Sequence, residues 1–256
     1  MRIVLIRHGD PDYELDSLTE KGFREAQALA DHTEIYGDLG DCFVSPMGRA
    51  QRTAAPTLRK LGKTAETLPW AEEFHAYLEV KKHPDMWEAY GESPDDPRFA
   101  RRIVWDMLPS YFLKHPELLD RNLWHTHVLS QYTDMNERYE RVTGAFDALL
   151  ARYGYVRDGL GYRVERESHQ TVTLFCHHGV TCVFLSHLLG TSPFVFWQGA
   201  AMPPTGVTEL FSEEREKGLA VFRLRRFGDF SHLTLAGQQP SFAARFAETY
   251  SDDTRH

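Results

Sequence analysis

Ile3-Val4-Leu5-Ile6-Arg7-His8-Gly9 is the stretch of sequence that decides the fold. Its first four residues form a continuous apolar run, which is typical of a strand buried on both faces of a sheet. The run stops at Arg7 and His8, so these two side chains stand at the carboxyl end of the predicted strand. Open α/β sheets bind ligands beyond the carboxyl ends of their strands. We therefore expect Arg7 and His8 to face a ligand.

The same order of strand then helix recurs along the chain. Thr19 is a good N-cap for a helix that follows the first strand. The apolar run 42–44 predicts a second strand, which leads into Ser45 and Pro46. Serine is a preferred N-cap and proline suits the first helical position, so we expect Ser45 to cap a helix over about 46–60.

Further elements complete an α/β pattern in the second half of the chain. A long helix is predicted over about 134–154, and a buried strand over 171–176 ends at His177 and is followed by another helix. The runs 207–211 and 220–224 predict an antiparallel pair joined by a polar turn. We predict a three-layer α/β/α fold with a mainly parallel central sheet and helices on both faces.

The stretch of about 72–133 breaks this pattern. It is rich in aromatic residues and interrupted by prolines. We interpret it as a helical cap inserted into a single domain that spans residues 1–256, and we expect its aromatic side chains to form core.

Composition excludes several classes of function. The 256 residues carry a formal net charge of -8, which disfavours nucleic acids and anionic membranes as partners because both attract a basic face. No apolar run is long enough to span a membrane and no secretory signal opens the chain, so we expect a cytoplasmic protein. The three cysteines include no C-x-x-C pair and are expected to be buried free thiols.

Three predicted strand ends carry the residues that a phosphate ester requires. A phosphomonoester has close to two negative charges, and its transfer needs a nucleophile and donors around the phosphoryl oxygens. Arg7, His8, Arg49 and His177 supply that set if the strand ends converge. Arg49 falls in the first turn of its predicted helix, where free N–H groups and the helix dipole also favour an anion.

The chain resembles the histidine phosphatase (phosphoglycerate-mutase-like) superfamily in three segments that occur in the family's order. These segments are Leu5-Ile6-Arg7-His8-Gly9 with Leu18-Thr19-Glu20-Lys21-Gly22, Ser45-Pro46-Met47-Gly48-Arg49-Ala50-Gln51-Arg52-Thr53-Ala54, and Leu174-Phe175-Cys176-His177-His178-Gly179-Val180. The Arg-His-Gly tripeptide alone is a weak signal, whereas three ordered motifs are a strong one.

The resemblance implies a role for each matching position. His8 would be the nucleophile, Arg7, Arg49 and His177 would hold the phosphoryl oxygens, and His177 would belong to the catalytic set. Glu73 would protonate the leaving group, although Glu72 beside it remains an alternative. Thr205, in the loop before the closing hairpin, would add a phosphate ligand. No cofactor and no metal is implied.

For two of these positions, a nearby residue of the same type is an alternative. Strand alternation places Thr173, Phe175 and His177 on one face, which favours His177 over His178 as the second site histidine. On the second helix Arg49 matches the motif, while Arg52 is expected to be a surface charge.

A pair of histidines outside the motifs could in principle bind a metal. His125 and His127 would lie on one face if this segment were a strand, but no spacing of a metal signature accompanies them. We therefore predict no metal ligands.

The predicted function is hydrolysis of a small phosphorylated metabolite. A phosphoglycerate-mutase-type phosphotransferase is one alternative, but Asp10-Pro11-Asp12-Tyr13 departs from the E-S-x-W-N pattern of the mutases after Arg-His-Gly. A catalytically idle phospholigand-binding module is another. The substrate itself and the oligomeric state are not readable from the sequence, because the cap that would select the substrate has no derivable fold.

Overall fold

The computed structural model describes residues 1–91 and 100–241. The chain divides into two compact units. Unit 1 comprises Met1–Glu73, Asp147–Thr181 and Ala201–His256, and unit 2 comprises Phe74–Phe146 and Cys182–Ala200. Residues 92–99 of the predicted cap lie outside the described residues. The division into a single domain with a cap at about 72–133 stays a prediction.

Strands and helices alternate through the described residues. The strands are β1 Arg2–Arg7, β2 Pro11–Asp12, β3 Ser17–Leu18, β4 Asp41–Val44, β5 Ala65–Thr67, β6 Tyr77–Leu78, β7 Arg102–Ile103, β8 Tyr155–Asp158, β9 Gly161–Val164, β10 Thr171–Cys176, β11 Val207–Glu216 and β12 Leu219–Asp229. The α-helices are α1 Glu20–Asp31, α2 Gly48–Leu61, α3 Trp87–Tyr90, α4 Pro109–Phe112, α5 Leu129–Tyr132, α6 Met135–Ala151, α7 His178–Leu189, α8 Pro193–Gly199 and α9 Ser231–Leu235. Short 3₁₀ turns occupy Thr33–Tyr36, Pro69–Ala71, Val80–Lys82, Pro84–Met86, Pro116–Leu119 and Trp124–Thr126.

Unit 1 is built on an eight-stranded sheet with the order β5-β4-β10-β1-β11-β12-β9-β8. The strands from β5 to β1 pair in parallel, and those from β1 to β8 pair antiparallel. The predicted α/β class is confirmed. So is the closing antiparallel pair, which β11 and β12 form around a turn containing Gly218.

The two central strands are buried as their apolar runs predict. Ile3, Val4, Leu5 and Ile6 are at most 1% exposed. β1 and β10 pair in parallel with Arg7 opposite Cys176. His8 and His177, the residues that follow, consequently stand at the same edge of the sheet.

A hydrophobic core lies where α1 and α2 meet the parallel half of the sheet. α1 and α2 pack against each other. The core residues are Val4, Ile6, Leu29, Tyr36, Leu39, Cys42, Val44, Ala50, Ala54, Phe175 and Val207. The three cysteines are buried and free, as predicted.

The predicted start of the first helix is confirmed, and the predicted start of the second helix is wrong. Thr19 caps α1, and its hydroxyl accepts from the backbone N–H of Gly22 at 3.1 Å. The prediction that Ser45 caps the second helix is wrong, because α2 begins at Gly48 with Met47 at the N-cap position. The N–H of Ser45 instead extends the sheet by donating to the carbonyl of Phe175.

The end of one helix and the conformation of one segment also differ from the prediction. The long helix α6 ends at Ala151 rather than at Gly154, and Gly154 follows in a left-handed conformation at φ 93°. The segment containing His125 and His127 is not a strand, because Trp124–Thr126 forms a 3₁₀ turn.

Unit 2 contains in its described part most of α6 and α7, several shorter helices, 3₁₀ turns and the small β6–β7 pair. Its aromatic residues form a cluster, in which the ring of Trp197 lies 5.3 Å from Phe74 and 5.0 Å from both Trp105 and Phe194. These rings act as core, as expected for the insertion. Among the described residues, no helix has the length and apolar character needed to cross a membrane.

Candidate active site

Three strand ends of unit 1 are tied together by backbone hydrogen bonds. The N–H of His8 donates to the carbonyl of Cys176 at 3.0 Å, and the N–H of Ser45 donates to the carbonyl of Phe175 at 2.9 Å. The residues that leave β1, β4 and β10 are thus held at one edge of the sheet, which is where α/β folds bind ligands.

His8 is a buried imidazole with one assignable tautomer. Its Nδ1 lies 2.7 Å from the carbonyl oxygen of Gly9, which can only accept, so Nδ1 carries the proton. Burial lowers the pKa of His8 well below its ordinary value, and the guanidinium groups of Arg7 and Arg49 lower this pKa further. The ring is therefore neutral near pH 7, and Nε2 keeps a lone pair for attack on an electrophile.

His177 lies beside His8. Their ring centroids are 5.1 Å apart, and Nε2 of His177 is 2.7 Å from the hydroxyl of Ser45. His178 is also buried, and burial together with Arg7 lowers its pKa to about 3. The structure thus brings both histidines to the site. Among the described ring contacts, His8 faces the ring of His177 and not that of His178.

The two predicted phosphate-binding arginines are buried. Arg7 and Arg49 are each 3% exposed. The guanidinium of Arg7 donates to the carbonyl of Met202, and that of Arg49 donates to Oδ1 of Asp16 at 2.7 Å. Two buried cations beside His8 make this edge of the sheet attractive to a phosphate dianion.

Asp16 holds Arg49 in place. It adopts a positive φ of 43°, and its Oδ2 accepts from the N–H of Gly48 at 2.5 Å. Burial alone would raise the pKa of Asp16, but the hydrogen bonds from Gly48 and Arg49 bring this pKa below its ordinary value. Arg52 is exposed and donates to the backbone carbonyl of Asp16, at 3.2 Å.

Glu73 reaches the start of α7. Its Oε1 accepts from the N–H of Val180 at 2.9 Å and its Oε2 from the N–H of Gly179 at 3.2 Å. Because α7 begins immediately after His177, these bonds place the Glu73 carboxylate beside the end of β10.

Thr205 is buried in the loop before β11. Its N–H donates to the carbonyl of His8 at 3.1 Å, and its backbone has a φ of 58°. The hydroxyl lies 2.7 Å from the carbonyl of Pro204 and 2.9 Å from Nε2 of His232.

One protein family matches the first part of the chain. Residues 3–105 match the model of the histidine phosphatase superfamily, branch 1. The matched range contains His8, Arg49 and Glu73, whereas His177 and Thr205 lie beyond it.

Solved structures of several phosphatases share the fold of this chain over nearly its whole length. A mutant phosphoserine phosphatase of Entamoeba histolytica in complex with phosphoserine is 14% identical, with a TM-score of 0.53 over 91% of this chain and 98% of that chain. The native mycobacterial glucosyl-3-phosphoglycerate phosphatase is 19% identical, with a TM-score of 0.54 over 89% and 98%. The alpha-ribazole phosphatase of Shigella flexneri is 16% identical, with a TM-score of 0.51 over 90% and 97%. No curated protein matches the sequence.

Several residues of this candidate site are not predicted by the sequence. Ser45 is expected to be a helix cap, yet its hydroxyl contacts His177. Asp16 and His232 reach the site from distant positions, so local spacing carries no signal for them. Met202 contributes a backbone carbonyl, which any residue type can provide.

A group of potential metal ligands in unit 2 includes His127, one of the two histidines considered in the sequence. Ligand atoms of His115, Glu117 and His127 are within 4.8 Å of one another. These atoms already have protein partners: His115 Nδ1 is 2.8 Å from Glu117, while Nε2 and Nδ1 of His127 contact the hydroxyl of Tyr111 and the N–H of Leu129. The group does not include His125.

Proposed function

We propose that this protein is a phosphomonoester phosphatase that acts through a phosphohistidine on His8. The observation that carries the proposal is the state of His8, which is buried, neutral and fixed through Nδ1 with two buried arginines nearby. A neutral imidazole nitrogen is a nucleophile at neutral pH, whereas an imidazolium is not.

In the first step, Nε2 of His8 attacks phosphorus and the bond to the alcohol oxygen breaks. The guanidinium groups of Arg7 and Arg49 and the imidazole of His177 stabilise the negative charge on the phosphoryl oxygens. Glu73 gives its proton to the departing oxygen, because an alkoxide is a poor leaving group.

In the second step, water attacks the phosphohistidine and displaces Nε2. Glu73, now ionised, accepts a proton from that water, so phosphate leaves and the starting enzyme is restored. The arginines supply the positive charge that a metal provides in other phosphatases, and the proposed reaction uses no metal and no cofactor.

Thr205 is the least direct part of the proposed phosphate site. Its hydroxyl contacts Pro204 and His232 in this structure, so it supports the phosphate site indirectly, through the hydrogen bond from its N–H to the carbonyl of His8.

We propose a small phosphorylated metabolite as the substrate and the cytoplasm as the compartment. Two of the similar structures hold phosphoserine or 3-phosphoglyceric acid, which makes these compounds sensible first members of a screening panel. Three buried free cysteines suit a reducing compartment.

Release of phosphate from an aryl phosphate tests the proposal against its alternatives. The wild type should release phosphate with or without a chelator and His8→Ala should not. Arg52→Ala should lose far less activity than Arg49→Ala. Binding of phosphate without turnover would indicate an idle binding module. Isomerisation of 3-phosphoglycerate in preference to hydrolysis would indicate a mutase.

A further inference from the structure

A buried chain of polar groups leads away from Thr205 through unit 1. Nε2 of His232 lies 2.9 Å from the hydroxyl of Thr205, and its Nδ1 lies 2.7 Å from the hydroxyl of Tyr36. The same Tyr36 hydroxyl lies 2.9 Å from Oδ1 of Asp229. Thr205 and His232 are fully buried, and Tyr36 is 3% exposed. We call these four residues the His232 chain.

The protons of the His232 chain can be assigned in sequence. Burial would raise the pKa of Asp229, but hydrogen bonds from Ser231 and Tyr36 bring it below its ordinary value, so this carboxylate only accepts. Tyr36 therefore donates to Asp229 and accepts from Nδ1–H of His232. Burial lowers the pKa of His232 to about 4, so the ring is neutral near pH 7. With its one proton on Nδ1, its Nε2 can only accept, and the hydroxyl proton of Thr205 lies between this Nε2 at 2.9 Å and the carbonyl of Pro204 at 2.7 Å.

Thr205, which lies at the end of the His232 chain, has an unusual backbone conformation. A positive φ is unfavourable for a β-branched residue and needs support from surrounding structure. Thr205 nonetheless has a φ of 58°. In this conformation its N–H donates to the carbonyl of His8, and the next residue, Gly206, accepts from the N–H of Arg7 at 3.1 Å.

The backbone of His8 is thus hydrogen-bonded to a residue in an unfavourable conformation, and the hydroxyl of that residue contacts His232. We propose that His232 is a positioning residue for His8, which acts by keeping Thr205 in its left-handed conformation through their hydrogen bond. It does not touch the phosphoryl group. This inference rests on the proposed function only where turnover is the readout.

Two amide substitutions separate positioning from packing. Gln can place its terminal amide where Nε2 of His232 lies and keep a bond to Thr205, whereas Asn is shorter and reaches only toward Tyr36. We expect His232→Asn to lower kcat on an aryl phosphate by about 10- to 100-fold, as small misplacements of reacting groups do. The KM should change much less, and His232→Gln should recover most of the loss. Equal losses in both variants would overturn the proposal.

Tyr36→Phe tests the same chain with the histidine ring in place. Its matched control is Tyr162→Phe, because Tyr162 is also buried and donates to a carboxylate, Asp147, at 2.8 Å. Both variants should lose thermal stability, but only Tyr36→Phe should lower kcat. If Tyr162→Phe lowers kcat as much, the effect is a general consequence of destabilisation and the proposal is wrong.

Crystal structures of His232→Asn and His232→Gln give a readout that does not need turnover. In the Asn variant, Thr205 should move to a negative φ and its N–H should leave the carbonyl of His8, whereas the Gln variant should keep both. An unchanged Thr205 in the Asn variant would refute the positioning role even if the protein is a phosphatase. A changed Thr205 in a protein without phosphatase activity would instead reject only the proposed function.

Discussion

Glu73 shows how the role of one residue depends on the identity of the leaving group. An alkoxide needs a proton as its bond to phosphorus breaks, whereas a nitrophenolate leaves without one. We therefore expect Glu73→Gln to lower kcat on an alkyl phosphate by about 10²- to 10⁴-fold, the usual contribution of general acid catalysis. Formation of the phosphoenzyme from a nitrophenyl phosphate should fall far less, and rapid-quench kinetics would show it as a burst.

Glu72→Gln is the control for this experiment. The two glutamates are adjacent in sequence, and it is Glu73 that accepts from the first turn of α7, through the N–H groups of Gly179 and Val180. The Glu72 variant should behave like the wild type on both esters. If it shows the leaving-group pattern instead, the general acid is Glu72.

Contacts of individual residues also explain why some site residues are predictable from the sequence and others are not. His8 is predictable because it directly follows the end of a strand, and Arg49 is predictable because it lies in the first turn of a helix. Asp16 is not, because it contacts Arg49 from 33 residues away and its positive φ has no sequence signature in an aspartate. The prediction of a cap at Ser45 fails, since pairing of its N–H with Phe175 in the sheet outweighs the local preference of Ser-Pro to begin a helix.

At the scale of elements, the close approach of α1 to the loop after β1 supports the nucleophile. A Cβ atom added to Gly22 would lie 2.2 Å from the backbone carbonyl oxygen of Asp10, in the loop that directly follows His8. Gly22→Ala must therefore push this loop and α1 apart. We expect the variant to lower both the Tm and kcat, measured by thermal unfolding and by phosphate release.

Gly144→Ala in α6 is the matched control, because a Cβ at that helical position meets nothing within 4 Å. Replacing a helical glycine by alanine should stabilise the fold by about 0.5–1 kcal/mol and leave kcat unchanged. Equal effects of the two substitutions would show that the Gly22 contact has no special importance for the site.

For the whole molecule, buried neutral histidines make the free energy of unfolding depend on pH. Burial lowers the pKa values of His8, His178 and His232 in the folded protein. The unfolded chain binds these protons near pH 6.5, so stability is complete above that pH and falls as the pH decreases. Each histidine should contribute a slope of about 1.4 kcal/mol per pH unit below about pH 6.5.

Urea unfolding at several pH values between about 6.5 and 5 measures this slope. Glu25 acts in the opposite sense, because burial raises its pKa, but it is one group against four, since burial also lowers the pKa of His127. His178→Gln should reduce the slope by the contribution of one histidine. A free energy of unfolding that is constant over this range would show that these histidines are not neutral and buried in the native protein.

The overall architecture is predictable to the extent that burial on both faces leaves continuous apolar runs. Residues 3–6 and 171–176 show this pattern and form the two central strands. The segment around His125 and His127 has no such period, and its 3₁₀ turns depend on contacts that local sequence does not encode. The substrate is not predictable for the same reason, because residues of this irregular region are expected to select it.

Identification of the phosphorylated residue is the most direct test of the account. The protein is mixed with a phosphorus-labelled aryl phosphate, quenched in alkali, digested and analysed by mass spectrometry. The quench is alkaline because phosphoramidates survive base and hydrolyse in acid. We predict acid-labile label on His8 in the wild type and in Glu73→Gln, and none in His8→Ala. Label on Cys176 or on a serine, or turnover by His8→Ala, would contradict the proposed mechanism.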